Sequence, residues 1–118
     1  MFRGDRSSVT PEVAFKEGFT PKGSGNDLLA HTTSNTTPGN FVSTSADKWI
    51  AQQFACKNGY VYEIDASNYI DVNSALGANS PFPEQMEFAI PGGIIPSQIK
   101  GAWTSTGEFI PNPGYLGK

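Results

Sequence analysis

The chain has 118 residues, a length that fits one domain with a single core and is too short for two. Its formal net charge of -3 argues against a broad electrostatic grip on nucleic acid, which needs a basic face, and leaves room only for a small local basic patch. Cys56 is the only cysteine, which excludes an internal disulfide and a cysteine-based metal site.

The N-terminal part of the chain predicts short elements separated by polar loops. Phe2 and Arg3 form a short strand, and Thr10 then caps a helix that ends at Gly18. A second short helix is predicted from Leu28 to His31. Because the first strand starts so early, we expect the chain to be one domain, residues 1–118, of a longer polypeptide that carries its own delivery signals.

The middle of the chain predicts a strand, a helix and a second strand. Phe41–Ser45 is the first strand, a helix begins at Ser45 or Asp47, and Tyr60–Asp65 alternates as a strand does. Four side chains of the helix have the spacing of one buried face: Trp49, Ile50, Gln53 and Phe54. Together with the rest of the chain this indicates an α+β fold with its short helices mainly in the N-terminal half.

The last third predicts a helical turn from Val72 to Leu76, then a strand-like run up to a Gly-Gly break, then a hairpin. The hairpin arms are Ile99–Trp103 and Glu108–Ile110. Aromatic residues near this hairpin are typical of a core, the alternative being an acceptor-binding surface.

The strand-like run carries two polar side chains where an apolar strand has none. Since side chains alternate along a strand, Gln85 and Glu87 are predicted to share one face, opposite Met86, Phe88 and Ile90. The run is either a solvated edge strand or a site.

Other polar groups stand on predicted strands. Arg3 offers a fork suited to phosphate or carboxylate, the alternative being an ordinary ion pair with Asp5. His31 is the only histidine, which argues against a histidine metal site, and the sequence contains no Gly-x-Ser-x-Gly nucleophile motif.

The order of these motifs resembles that of the mono-ADP-ribosyltransferase toxins of the cholera and pertussis toxin type. The resemblance runs from Phe2 to about Trp103. It rests on an ordered set of segments: Arg3-Gly4-Asp5, Asp27-Leu28-Leu29-Ala30-His31, Phe41-Val42-Ser43-Thr44-Ser45, Tyr60-Val61-Tyr62-Glu63-Ile64, Asp71-Val72-Asn73-Ser74-Ala75-Leu76-Gly77, Ser80-Pro81-Phe82-Pro83-Glu84-Gln85-Met86-Glu87 and Gly92-Gly93-Ile94. It implies an ADP-ribosyltransferase-type α+β fold of split mixed β-sheets around an NAD cleft.

The resemblance implies that NAD is the substrate and that no metal is needed. Glu87 would hold the ribose 2'-hydroxyl and stabilise an oxocarbenium-like transition state as the nicotinamide-ribose bond breaks. Arg3 would contact an NAD phosphate, with Gly4 and Asp5 beside it in the NAD-binding set.

The remaining family positions would shape the same cleft. Ser43, Thr44 and Ser45 would brace it, with Ser43 donating a hydrogen bond to Glu87. His31 would face the NAD.

One position departs from the arginine-modifying members, which carry a second glutamate where this chain has Gln85. Glutamine is no base, but its amide can orient another amide or a nucleobase edge. The same Gln-x-Glu arrangement occurs in branches that modify an asparagine of GTPases, and in the pierisin and scabin branch that modifies guanine. The sequences of the segments Phe41–Ser45 and Asn26–His31 are closer to the second branch. We therefore expect a non-arginine acceptor, with nucleic acid or a guanine-containing nucleoside or nucleotide favoured over a protein side chain.

The resemblance also implies a secreted or delivered bacterial toxin that acts in the target-cell cytoplasm, together with a neutralising immunity protein. Two alternatives come from other classes of function. One is a catalytically silent module that binds NAD or a protein, and the other is an inert domain of a larger surface protein.

Overall fold

The computed structural model describes residues 1–21, 41–55, 58–79 and 85–116. Within these ranges the elements follow in the order β1 Phe2–Asp5, α1 Pro11–Glu17, β2 Phe41–Ser45, α2 Lys48–Ala55, β3 Tyr60–Ile64, β4 Ile70–Asp71, α3 Val72–Leu76, β5 Glu87–Pro91, β6 Ile99–Trp103 and β7 Phe109–Pro111. The predicted helix from Leu28 to His31 lies outside the described residues.

Seven strands form one sheet in the order β4-β5-β2-β1-β3-β6-β7. The pairings between these strands are all antiparallel rather than mixed. The sheet has a weak junction at its centre, because β1 and β2 are in register only at Phe2 and Ser45. Strand β1 pairs with β3 over four residues, and β2 pairs with β5 over five. The structure therefore has one continuous sheet instead of the split sheets that the resemblance implied, because this single pair at the junction still joins the two parts.

The two faces of the sheet carry different helices. Tyr62 and Val61 are neighbours on β3 and so point to opposite faces. Tyr62 belongs to the larger core cluster with Ala14 of α1, whereas Val61 belongs to a smaller cluster with Ala51 and Ala55 of α2. Helix α1 thus packs on one face and α2 on the other.

Helix α1 begins and ends where local chemistry predicts. The Thr10 side chain accepts a hydrogen bond from the Val13 N–H at 3.4 Å, and Pro11 occupies the first turn. At the other end the Gly18 N–H donates to the Ala14 carbonyl with φ at 69°, a conformation that favours glycine. None of the helices in the described ranges has the length and apolar character that a membrane crossing requires.

The buried face predicted for α2 is wrong. Ala51 and Ala55 are the buried residues, while Trp49 is 66% exposed and Phe54 is 53% exposed. The reason is how closely α2 approaches β1: a Cβ on Gly4 would stand 1.8 Å from the Ala51 carbonyl oxygen. Only small side chains fit this interface, so the aromatic residues of α2 lie on its outer side.

The C-terminal hairpin and the turn from Val72 to Leu76 are confirmed. Strand β4 was missed because it has only two residues, and it is held in place by pairing with β5. Strand β5 itself begins at Glu87, later than the strand-like run suggested.

Candidate active site

Arg3 lies where β1 and β2 stop pairing. Its Nε is 3.0 Å from Asp5 Oδ2, and its Nη2 donates to Asp5 Oδ1 at 3.3 Å, which confirms Asp5 as the ion-pair partner. Its Nη1 donates to the Ser43 carbonyl oxygen at 2.9 Å. The guanidinium therefore bridges the gap beyond the Phe2–Ser45 pair.

The Phe19 ring packs against the guanidinium of Arg3, a contact that was not predicted from the sequence. Its ring centroid is 5.1 Å from Arg3 Cζ, a cation-π contact. The ring is buried, and a two-way backbone bridge with Ile94 (2.8 Å in each direction) fixes the Phe19 backbone. The only signal was an aromatic residue after the helix-ending Gly18, which does not distinguish this role from that of an ordinary core residue.

With Asp5 and Ser43 in place, the outer edge of the Arg3 fork is what remains for a ligand. A guanidinium has five N–H groups, and the hydrogen bonds to Ser43 and Asp5 use one on each terminal nitrogen, while Nε makes an ion-pair contact with Asp5 Oδ2. One N–H on each terminal nitrogen is left by these contacts. Two donors with a fixed positive charge are suited to the oxygens of a phosphate.

Glu87 stands on the neighbouring strand pair and is held by Ser43. The Ser43 Oγ donates a 2.7 Å hydrogen bond to Glu87 Oε2, which is the bond that the resemblance predicts. Both residues are partly buried. Ser43 pairs with Ala89 in the register, so the bond runs diagonally to the residue two positions away on the same face.

The other two hydroxyls of the Ser-Thr-Ser motif hold the backbone that leads into β5. Thr44 Oγ1 donates to the Phe88 carbonyl at 2.7 Å, and Ser45 Oγ donates to the Gln85 carbonyl at 2.8 Å. Both side chains are buried, which leaves them to act through this backbone. The motif as a whole fixes where Gln85 and Glu87 stand.

Gln85 and Glu87 do not share a strand face by simple alternation. Met86 between them has φ at 48°, and it is the only non-glycine residue with positive φ in the described part of the chain. Gln85 precedes β5 instead of lying on it. The left-handed residue breaks the period of two, so the alternation argument fails here although both residues remain at the same strand end.

Two further predicted residues, Gly4 and His31, have different outcomes. Gly4 faces α2, so helix packing explains the glycine at this position, and a role in NAD binding stays a prediction. His31 and its loop lie outside the described residues. The residues that are described contain no group of three histidine, cysteine or carboxylate side chains placed to hold a metal ion.

The arrangement joins two functions across the central junction. On the β1 side a fixed guanidinium is suited to an anionic group. On the β2–β5 side a carboxylate, oriented by Ser43, is suited to a sugar hydroxyl or to a developing positive charge. A ligand that has both a phosphate and a ribose matches this pair.

The comparisons with known proteins all indicate the same family. Residues 1–115 match a family model described as Scabin-like. A guanine-specific ADP-ribosyl transferase of Streptomyces coelicolor is 38% identical over 104 residues, covering 86% of this chain and 49% of the relative. Pierisin of Pieris brassicae is 34% identical over 115 residues, covering 86% of this chain and 13% of the relative. The chain thus spans about half of the first relative and much less of the second.

Solved structures extend the likeness to the fold. Scabin toxin from Streptomyces scabies, determined in complex with NADH, superposes with a TM-score of 0.85 at 31% identity, covering 99% of this chain and 75% of that one. A structure of a guanine-specific ADP-ribosyltransferase superposes with a TM-score of 0.83 at 33% identity, covering 99% of this chain and 78% of that one. The α+β fold of the ADP-ribosyltransferase type is confirmed.

Proposed function

The chain belongs to the Scabin-like family, and from that membership and the geometry of the cleft we propose that it is a mono-ADP-ribosyltransferase toxin domain. It would use NAD and modify guanine, in nucleic acid or in a guanine-containing nucleoside or nucleotide. The observation that carries the proposal is the 2.7 Å hydrogen bond from Ser43 to Glu87, at the same strand end as Gln85 and across the junction from the Arg3 fork.

The proposed reaction divides the work between the two sides of the cleft. Arg3 binds a phosphate of NAD through its outer N–H pair. Glu87 accepts a hydrogen bond from the ribose 2'-hydroxyl, and its charge stabilises the ribose cation as the C1'–N bond breaks and the electron pair leaves with nicotinamide. A guanine nitrogen then forms the new bond to C1' and loses a proton.

Gln85 supports guanine over arginine as the acceptor. An arginine acceptor needs a base to remove a proton from its guanidinium, and an amide has no such capacity. The Gln85 side chain combines a donor and an acceptor, which matches the paired groups on a guanine edge. The Ser45–Gln85 hydrogen bond holds its backbone in a fixed place.

The decisive experiment is mass spectrometry of reactions of the protein with NAD and four acceptors: guanosine, GMP, a guanine-containing oligonucleotide and cell lysate. ADP-ribosylated guanine is expected, and Glu87→Gln should remove both the adduct and free nicotinamide. Adducts confined to protein side chains would contradict the guanine assignment. NAD binding in calorimetry without nicotinamide release would identify a silent module instead.

Delivery and regulation follow from the same proposal. Similar solved structures are described as toxins, which supports a secreted or delivered role for this chain. We extend this to action inside the target cell and to protection of the producing cell by an immunity protein. Co-purification of the neighbouring gene product, with loss of activity on binding, tests that part.

A further inference from the structure

A cavity lies on the α2 face of the sheet, and its lining does not include Arg3, Ser43 or Glu87. Its volume is about 440 Å³, and it opens between α2 and the β6–β7 hairpin. The side chains that matter for its chemistry are those of Lys48, Gln52, Trp103, Thr104, Ser105 and Thr106.

The positive charge of this cavity is held in a fixed position. Lys48 Nζ lies 3.4 Å from the centroid of the Trp103 ring, a cation-π contact. The Trp103 ring is itself fixed by Phe109, with centroids 4.9 Å apart, and by a 3.3 Å hydrogen bond from its Nε1 to Glu63. The ammonium group therefore stands on a rigid platform at the cavity wall.

The remaining polar groups of the lining are neutral and can donate hydrogen bonds. Thr104 Oγ1 and Thr106 Oγ1 are 3.0 Å apart, so one hydroxyl hydrogen joins the two oxygens and the other can be donated to a ligand. Ser105 and the Gln52 amide add further donors. The part of the lining that the structure describes contains no carboxylate.

Two of the nearby carboxylates, those of Asp47 and Glu63, have other partners. Asp47, next to Lys48 in the chain, accepts a 2.8 Å hydrogen bond from the Trp49 N–H at the start of α2. Glu63 binds the Trp103 indole and lies 3.7 Å from Lys100 Nζ. Among the described residues, the lining has Lys48 as its cation, several neutral donors and no carboxylate, which suits an anion such as a phosphate.

The cavity begins close to the catalytic strand end. Lys48 follows Ser45 by three residues, so their Cα atoms are at most about 11 Å apart. Ser45 in turn stands opposite Glu87 in the sheet. A nucleic acid with its reacting base at Glu87 spans this separation with a few nucleotides, since phosphates of one duplex strand advance about 3.4 Å each and those of an extended strand advance further.

We propose that this cavity is a subsite for a backbone phosphate of a nucleic-acid acceptor, flanking the modified guanine, with Lys48 as its charged ligand. The inference rests on the proposed function, because it assumes that guanine is modified at Glu87. It also assigns the local basic contact that a chain of net charge -3 needs in order to hold nucleic acid.

The test compares guanosine, GMP and a single-guanine oligonucleotide as acceptors for the wild-type protein and Lys48→Gln. The variant should lower kcat/KM for the oligonucleotide about fivefold and leave guanosine and GMP unchanged. The slope of log kcat/KM against log salt should become shallower by about 0.7, the value for one phosphate contact on a single strand. Lys16→Gln is the matched control, because this exposed lysine lies on α1, on the opposite face of the sheet, and its loss removes the same charge.

The other outcomes overturn the inference. An equal loss with guanosine shows that Lys48 acts on NAD or on the fold, and a loss with GMP shows that the nucleotide's own phosphate occupies the cavity. If guanosine is modified and the oligonucleotide is not, the subsite is refuted and the proposed function is unaffected. Failure of all three acceptors removes the proposed function, and the subsite with it. If Lys48→Gln has a lowered melting temperature, the double variant Ser105→Ala, Thr106→Val at the exposed turn replaces it. This variant should lower kcat/KM about twofold for the oligonucleotide and leave it unchanged for guanosine and GMP.

Discussion

Ser43 and Glu87 are joined by a 2.7 Å hydrogen bond although they are not opposite each other in the sheet. The bond runs diagonally to Ser43, the residue whose backbone carbonyl accepts a hydrogen bond from Arg3. A hydrogen bond to a charged group contributes about 1.5–3 kcal/mol. Its removal should therefore be visible in the rate.

Ser43→Ala should lower kcat for nicotinamide release by about tenfold or more, with little change in KM for NAD, because the carboxylate loses its orientation while the phosphate contact proposed for Arg3 is unchanged. Steady-state kinetics of NAD hydrolysis measures both constants. Ser67→Ala, at an exposed turn, is the control and should match the wild type. A kcat within twofold of the wild type for Ser43→Ala would show that the bond does not orient the catalytic group.

Arg3→Lys should raise KM for NAD by about tenfold, because a lysine keeps the charge but cannot use one side of a fork for Asp5 and the other for phosphate. Asp5→Asn should raise KM less, since the guanidinium keeps its bond to the Ser43 carbonyl. Calorimetric titration with NAD measures the affinity directly. An Arg3→Lys variant that binds NAD as the wild type does would refute the phosphate role.

Met86→Gly should keep the balance between transfer to guanosine and hydrolysis of NAD, because glycine adopts a φ of 48° without strain. Met86→Val should shift the balance toward hydrolysis and lower the melting temperature, since a β-branched residue is a true outlier there. The ratio of adduct to free ADP-ribose is the readout. Equal ratios in the two variants would mean that the left-handed residue does not set the position of Gln85.

Gly4→Ala should destabilise the fold by about 1–3 kcal/mol or more, because its Cβ would overlap the Ala51 carbonyl oxygen. Gly114→Ala is the matched control: its Cβ would meet Asn112 Oδ1 at 3.5 Å, an ordinary contact. Urea unfolding measures both variants. A stable Gly4→Ala protein that has lost NAD affinity would instead place Gly4 in the binding site.

The stability of the protein should fall above about pH 10 through Tyr62. Burial, with the Asp5 charge as a smaller cause, raises the pKa of Tyr62 above its usual 10.0. Because the folded state holds this proton more tightly, the stabilisation is complete below the unfolded pKa and is lost as pH rises toward the folded one. Tyr62→Phe should lose its hydrogen bond to the Val9 carbonyl and also this alkaline slope, which is at most about 1.4 kcal/mol per pH unit. Parallel slopes for wild type and variant between pH 10 and 11 would contradict the assignment.

The sequence predicts those parts of the molecule whose cause is local. The Thr10 cap, the Phe41–Ser45 strand and the hairpin each depend on neighbouring residues, and all three are confirmed. The buried face of α2 depends on how closely the helix approaches Gly4, some fifty residues away in the chain. A pattern of apolar residues within the helix does not predict that distance. The break at Met86 is missed for a related reason, because tertiary contacts impose a backbone conformation that methionine does not favour.

The site divides in the same way. The Arg3–Asp5 pair is two residues apart and can be predicted from spacing, and the bond from Ser43 to Glu87 is predicted by family resemblance. The contact between Arg3 and Phe19 depends on the backbone bridge from Phe19 to Ile94, and no local sequence pattern predicts that bridge. The cavity at Lys48 and Trp103 joins two residues fifty-five positions apart.

The single Phe2–Ser45 pair has a consequence for the physics of substrate binding. The two charged groups of the site belong to different halves of the sheet, and one registered pair connects those halves at the junction. A dinucleotide bound by both Arg3 and Glu87 would add a second connection between the two parts of the sheet, beside the Phe2–Ser45 pair. NAD should then raise the free energy of unfolding by an amount that follows RT ln(1 + [L]/Kd), and nicotinamide alone, which has no phosphate or ribose for these two residues, should raise it less at the same concentration.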